Sequence, residues 1–130
     1  MTDALSEARR IQVAAASVGF DWPNVSGALA KLREEIGEID RAIVEEHHAR
    51  QHDELGDVLF SAVNVSRFIG VDPSEALRAT NRKFSARFER VQNEVRRSGR
   101  EFTDYSLDEL DRIWDRVKLE GEDSGQAAER

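Results

Sequence analysis

The chain has 130 residues, of which 39% are hydrophobic and 35% charged, and this mixture is typical of one globular domain with a small core. It has no cysteine, which excludes disulfides and thiol chemistry. The net charge of −7 argues against a nucleic-acid polymer as partner, because a phosphate backbone requires a basic surface.

Three helices are predicted in the first half of the chain. The first covers about residues 5–18, and the second starts near residues 24–26 with apolar side chains every three or four positions. The polar stretch at residues 45–51 predicts a turn. The third helix is then predicted over residues 52–69.

Capping signals predict two further helices. Residues 72–75 (Asp-Pro-Ser-Glu) combine an N-cap, a proline at the first helical position and an acid two residues later, and this helix ends at residues 98–99. A capping box at residues 106–109 opens the fifth helix. We therefore predict an all-α, antiparallel bundle of about five helices in a single domain over residues 1–120. The small, polar residues 121–130 are predicted to be a disordered tail.

The third helix is apolar in nearly every direction around its axis. Its apolar residues are Leu55, Val58, Leu59, Phe60, Ala62, Val63, Val65, Phe68 and Ile69. A helix that is apolar all round is buried on all sides, and one domain of this size rarely covers it completely. We therefore expect a homo-oligomer.

Two acidic clusters lie at helical spacing. Glu34, Glu35 and Glu38 share the second helix, while Glu54 and Asp57 begin the apolar third helix. Carboxylates beside apolar surface are costly unless a cation or proton compensates them. Oxygen ligands without cysteine suit Mg²⁺ or Mn²⁺, so the two clusters predict a divalent-metal site, of the kind that handles phosphates, between these helices. The alternative for the first cluster is a solvated acidic face.

A basic segment flanks an aromatic stripe on the fourth helix. Lys83 and Arg87 are four residues apart, beside Phe84 and Phe88. Both cations suit phosphate oxygens, although they can also cover apolar surface with their aliphatic stems.

Other candidates are weaker when taken alone. Trp114 and Lys118 are also four apart, but a core tryptophan beside a solvated lysine has the same spacing. Trp22, in a loop before a proline, is a candidate wall for a base pocket. His48 and His52 have the spacing of a zinc pair but lack a third ligand at a known spacing, so a structural role is favoured.

Together these motifs resemble the MazG-type nucleoside triphosphate pyrophosphohydrolases, over about residues 18–118. The resemblance is carried by Lys31-x-x-Glu34-Glu35-x-x-Glu38, Glu54-x-x-Asp57, Asn81-x-Lys83-Phe84-x-x-Arg87-Phe88, Val18-Gly19-Phe20-Asp21-Trp22 and Trp114-x-x-x-Lys118. Several members of that family carry two tandem copies of the domain, whereas these motifs occur here once.

The resemblance implies an all-α enzyme built on dimers, or on dimers of dimers, that uses Mg²⁺ (with Mn²⁺ as a substitute) to convert nucleoside triphosphates to monophosphates and pyrophosphate. The implied metal ligands are Glu35, Glu38, Glu54 and Asp57. The implied catalytic residues are Glu34, which would orient or deprotonate the attacking water, and Glu38. The implied substrate-binding residues are Lys31, Lys83, Arg87, Trp114 and Lys118.

Several alternatives stay open. The substrate class extends to non-standard triphosphates, phosphoribosyl-ATP and dUTP, and a module that binds nucleotide without turnover would keep the same site. A plain oligomeric interaction module would leave the acids as solvated surface. The chain has no apolar leader segment and no run of 18 apolar residues, so we expect a cytoplasmic protein without a membrane partner.

Overall fold

The computed structural model describes residues 3–123, and side chains through residue 121. This part of the chain holds five α-helices and no β-strand. The helices are α1 (Ala4–Ser17), α2 (Val25–Val44), α3 (His48–Phe68), α4 (Pro73–Arg97) and α5 (Leu107–Asp123), with a short 3₁₀ turn at Phe102–Asp104. The predicted all-α fold is confirmed. No helix in the described part of the chain is long and apolar enough to cross a membrane.

Helix α3 begins four residues earlier than the sequence predicts. The side chain of His47 accepts a hydrogen bond from the backbone N–H of Arg50 at 3.3 Å, and so caps the helix. Histidine is an unusual N-cap, which is why the polar stretch 45–51 resembles a longer turn. The connection to α2 is consequently short, and Glu46 takes a left-handed conformation within it (φ 54).

The predicted starts of α4 and α5 are confirmed. The Asp72 carboxylate accepts from the backbone N–H groups of Ser74 and Glu75 at 2.9 and 3.2 Å. Ser106 and Glu109 form the reciprocal capping box at 2.9 and 3.1 Å. Helix α5 continues to Asp123, so the predicted tail begins at least three residues too early. The remainder of that prediction, residues 124–130, lies outside the described residues.

The chain divides into two compact units, with the boundary inside α4 after Leu77. In the first unit, α2 and α3 pack together as a helical hairpin and α1 packs on α3. Its buried apolar core is small and consists of Ala28, Ala42 and Val63. The second unit has its core at Val91, Val95 and Val117, against which Phe102, Tyr105, Leu110, Ile113 and Trp114 pack.

The apolar surface of α3 is only partly covered within the chain. Val63 is buried, but Leu59 is 51% exposed and Phe60 is 44% exposed. Helix α3 therefore leaves large apolar side chains exposed to solvent.

Candidate metal centre and adjoining cleft

Three carboxylates converge where α2 and α3 pack together. Oxygen atoms of Glu35, on α2, and of Glu54 and Asp57, on α3, all lie within 4.8 Å of one another. Glu54 and Asp57 are three residues apart in the first half of α3, and Glu35 lies in the middle of α2. The helical hairpin brings the three side chains together. The side chain of Glu35 is buried, with 9% of its surface exposed. Three acids in one place repel one another, so this cluster favours a cation.

Lys31 supplies part of the compensating charge. Its Nζ lies 3.0 Å from Glu35 and 3.3 Å from Glu34. These hydrogen bonds, first to Glu35 and then to Glu34, raise the pKa of Lys31 above its ordinary value of 10.5. One lysine against three converging carboxylates leaves a net negative charge.

Burial and this surplus negative charge both raise the pKa of Glu54. Partial burial raises its pKa above the ordinary value of 4.5, and neighbouring carboxylates raise it further. These neighbours are, in decreasing order, Glu38, Asp57 and Glu35, while Arg50 opposes them. A divalent cation among these oxygens would reverse the effect, so the donor set fits a hard metal ion.

Glu38, the fourth ligand that the sequence predicts, is not a member of this group. Its carboxylate pairs with Arg41 at 2.5 Å and approaches Arg50 at 3.9 Å. It nevertheless lies close enough to Glu54 for its charge to affect that residue's pKa. The structure therefore brings together three of the four predicted ligands and leaves Glu38 beside them.

The other predicted substrate residues belong to the second unit. Lys83 and Lys118 are exposed and Arg87 is half-buried. Trp114 packs against the buried valine core, and its ring centroid lies 5.0 Å from that of Phe84. The packing interpretation of Trp114 is confirmed, and its predicted role toward substrate stays a prediction.

A cleft of about 530 Å³ adjoins the acidic cluster in the first unit. Lys31 belongs to both, since it lines the cleft and also contacts Glu35. Most of the lining is apolar and includes Phe20, Trp22 and Phe60. Cavities of this size and composition are typical of small-molecule sites, which usually measure about 300–1,000 Å³.

The loop between α1 and α2 forms one side of the cleft, and two contacts hold it. The Asp21 carboxylate accepts hydrogen bonds from the Arg67 guanidinium at 3.0 and 2.5 Å. This bond is the main reason that the pKa of Asp21 falls below its ordinary value of 3.8. The Trp22 ring lies against Gly27 so closely that a Cβ there would meet ring atoms at 2.6 and 2.7 Å.

Sequence reasoning did not single out Gln12 and Arg67, the two longest polar side chains that it missed in the lining of this cleft. Arg67 is the only charged residue between Val58 and Ile69, and Gln12 is the one long polar side chain in residues 11–18. An isolated polar residue in an apolar stretch signals a specific partner, because burying it unpaired is costly. The identity of that partner depends on the tertiary structure.

Comparisons with known proteins identify the family of this chain. A family model described as the MazG nucleotide pyrophosphohydrolase domain matches residues 24–92, which is more than half of the chain. A Thermotoga maritima protein named nucleoside triphosphate pyrophosphohydrolase/pyrophosphatase MazG is 40% identical over 118 residues, covering 91% of this chain and 45% of the relative. An Escherichia coli K12 protein named nucleoside triphosphate pyrophosphohydrolase is 37% identical over 119 residues, covering 88% and 44%. The chain thus spans slightly less than half the length of these relatives. The matched segment contains all three converging carboxylates, and the chain belongs to the MazG nucleotide pyrophosphohydrolase family.

Proposed function

We propose that this chain hydrolyses nucleoside triphosphates to nucleoside monophosphates and pyrophosphate with the help of a divalent metal ion. The observation that carries the proposal is the convergence of Glu35, Glu54 and Asp57 within 4.8 Å, in a chain of this family. The names of the two relatives support the same activity. Non-standard triphosphates belong to the proposed substrate class.

Mg²⁺ is the proposed ion, with Mn²⁺ as a substitute, because the donors are carboxylate oxygens. Glu35, Glu54 and Asp57 would hold it, and Glu38 would join them after releasing Arg41. When bound, such an ion supplies positive charge to phosphate oxygens and lowers the pKa of a coordinated water.

The remaining roles belong to side chains of this chain. Glu34 is exposed and hydrogen-bonded to Lys31, and we assign it the task of orienting or deprotonating the attacking water. Lys83 and Arg87 add fixed positive charge where negative charge develops on the leaving pyrophosphate. Trp114 and Lys118 complete the proposed substrate-binding set.

The decisive test is product analysis. Purified protein is incubated with a panel of nucleoside triphosphates, and pyrophosphate and orthophosphate are measured separately. Pyrophosphate should appear with Mg²⁺ or Mn²⁺ and should disappear in excess EDTA. Glu35→Gln should be inactive, while Asp53→Asn should be fully active, because Asp53 is 80% exposed and lies outside the cluster. Orthophosphate as the first product, or turnover in EDTA, would overturn the proposal.

We also propose that the working form is a homo-oligomer in which a second copy covers the exposed apolar face of α3. Leu55, Leu59 and Phe60 are each about half exposed, and such apolar surface is costly to leave in water. Sedimentation at micromolar concentration should give a dimer or a dimer of dimers. A stable, monodisperse monomer would refute this assembly. A cytoplasmic location, where nucleoside triphosphates are abundant, is part of the same proposal.

A further inference from the structure

The side chain of Gln12 is buried in the wall of the cleft beside the acidic cluster. It is 6% exposed, and its Nε2 donates a hydrogen bond to the backbone carbonyl of Phe60 at 2.9 Å. This bond orients the amide group. Its other atom, Oε1, has essentially no exposed surface and is the only buried side-chain nitrogen or oxygen without a hydrogen-bond partner among the residues whose side chains are described. A ligand in the cleft reaches this oxygen only when neighbouring side chains move aside.

The other charged and amide groups around the cleft already have partners. Asp21 accepts from Arg67, and Asn64 also accepts from Arg67 at 2.9 Å. Lys31 is engaged by two carboxylates of α2. A buried acceptor without a hydrogen-bond partner is costly to the free protein, and a donor from outside the chain relieves that cost.

The position of the cleft indicates what that donor belongs to. Lys31 lines the cleft and also contacts Glu35, so a ligand whose phosphates meet the cluster would place its other end in the cleft. That end of a nucleotide is a flat heterocycle with N–H groups on its edge. The aromatic side chains of Phe20 and Trp22, which also line the cleft, suit such a ring.

We propose that Gln12 is a base-reading residue, whose amide oxygen accepts a hydrogen bond from an N–H group on the edge of the bound nucleobase. This inference rests on the proposed function, because it assumes that the cluster takes the phosphates. It adds a specificity-determining residue that lies outside the segment matched by the family model.

The geometry also limits what Gln12 can read. A glutamine that presents both amide atoms to adenine forms two hydrogen bonds and selects that base. Here the amide nitrogen is held by Phe60, so one acceptor remains. One acceptor takes an exocyclic amino group or a ring N–H equally well. Gln12 therefore requires a donor without distinguishing the bases that carry one.

Matched substrates with and without the donor test the proposal. ATP is compared with purine riboside triphosphate, and CTP with pyrimidin-2-one riboside triphosphate, since these analogues lack the amino group and add no bulk. UTP is compared with its N3-methyl analogue for a ring N–H, and because the methyl group adds bulk, a preference in this pair counts only when the Gln12 variants abolish it. In at least one pair the wild-type protein should favour the donor-bearing member by about ten-fold in kcat/KM, mainly through KM.

Removal of the acceptor should abolish that preference. Gln12→Met and Gln12→Leu keep the side-chain bulk, and either one that folds is sufficient. Each should reduce the preference to within about two-fold while retaining turnover of the analogue that lacks the donor. In thermal melts, both variants should lose no more stability than the Gln12–Phe60 hydrogen bond contributes, because the unmet oxygen is removed together with that bond.

Two results would overturn the inference. Equal rates within every pair for the wild type would mean that no base donor reaches Gln12, as when an ordered water satisfies the oxygen. If the variants keep the preference, or if they lose kcat/KM by the same factor on all substrates, Gln12 is a structural residue. The preference is measured again as a Kd with α,β-methylene triphosphates, which resist cleavage at the bond in question. Failure to release pyrophosphate would thus count against the proposed function, and equal Kd values within the pairs against the inference alone.

Discussion

Asp21 and Arg67 lie 46 residues apart in the chain and form a two-pronged ion pair, with nitrogen–oxygen distances of 3.0 and 2.5 Å. The pair joins the loop after α1 to the last turn of α3. The Arg67 side chain is only 14% exposed and also donates to Asn64. The loop wall of the cleft is therefore held by an interaction that neither segment could make alone.

Asp21→Asn should lower the melting temperature at neutral pH and change the fluorescence of Trp22, because the partly buried guanidinium loses its counter-charge. The folded pKa of Asp21 lies below 3.8, so the pair stabilises the protein above about pH 4 and the stabilisation is lost as the pH falls through the folded pKa. The difference in melting temperature between wild type and variant should therefore shrink from pH 5 toward about pH 2. Thermal melts across this range measure it. The exposed Asp40→Asn serves as control, and a difference that does not vary with pH would contradict the prediction.

Gly27→Ala and Gly37→Ala should have opposite effects, although both place alanine in α2. Alanine is favoured over glycine in a helix by about 0.5–1 kcal/mol, and a Cβ at Gly37 meets nothing within 4 Å, so that variant should be stabilised by this amount. A Cβ at Gly27 would meet the Trp22 ring at 2.6 Å, and the resulting displacement should cost about 1–3 kcal/mol. Urea unfolding gives both free energies. Equal stabilisation of the two variants would show that Trp22 does not pack on Gly27 in solution.

Asp57→Asn should raise the stability of the metal-free protein and remove its response to metal. Asp57 is one of the charges that raise the pKa of Glu54, so its neutralisation relieves repulsion within the cluster. Wild-type protein should be stabilised by Mg²⁺ or Mn²⁺, by about 2.7 kcal/mol when the ion is at 100 times its Kd. Thermal melts with and without the ion are compared with those of Asp53→Asn. Identical behaviour of the two variants would remove Asp57 from the metal site.

Arg87→Ala should lower kcat by about 10²-fold, as expected for one well-placed donor to charge that develops in the transition state. Lys83→Ala should affect both kcat and KM, since an ammonium group holds the triphosphate as a point charge. Steady-state kinetics separate these effects. Metal binding in the absence of nucleotide should be unchanged in both variants, because neither side chain is a ligand. Wild-type kinetics in a folded Arg87→Ala, matching the exposed control Arg82→Ala, would exclude Arg87 from the site.

The sequence by itself determined the helices and the carboxylates that they carry. Helical periodicity and caps such as Asp72 and the Ser106–Glu109 box are local, because each depends on backbone groups within a few residues. The spacing of Glu54 and Asp57 places both on one face for the same reason. The turn predicted at residues 45–51 makes antiparallel packing of the second and third helices the expectation, so Glu35 could be expected near Glu54 and Asp57.

The tertiary structure alone decided which side chains contact one another. Arg67 finds Asp21, Trp22 packs on Gly27, and Gln12 is held by Phe60, and each contact depends on side-chain directions that no local pattern encodes. Glu38 lies three residues after Glu35, just as Asp57 lies three residues after Glu54, yet its carboxylate pairs with nearby arginines and does not join the cluster. Competition of this kind is settled by distances of an ångström or less, because hydrogen bonds and ion pairs weaken steeply beyond their optimal length.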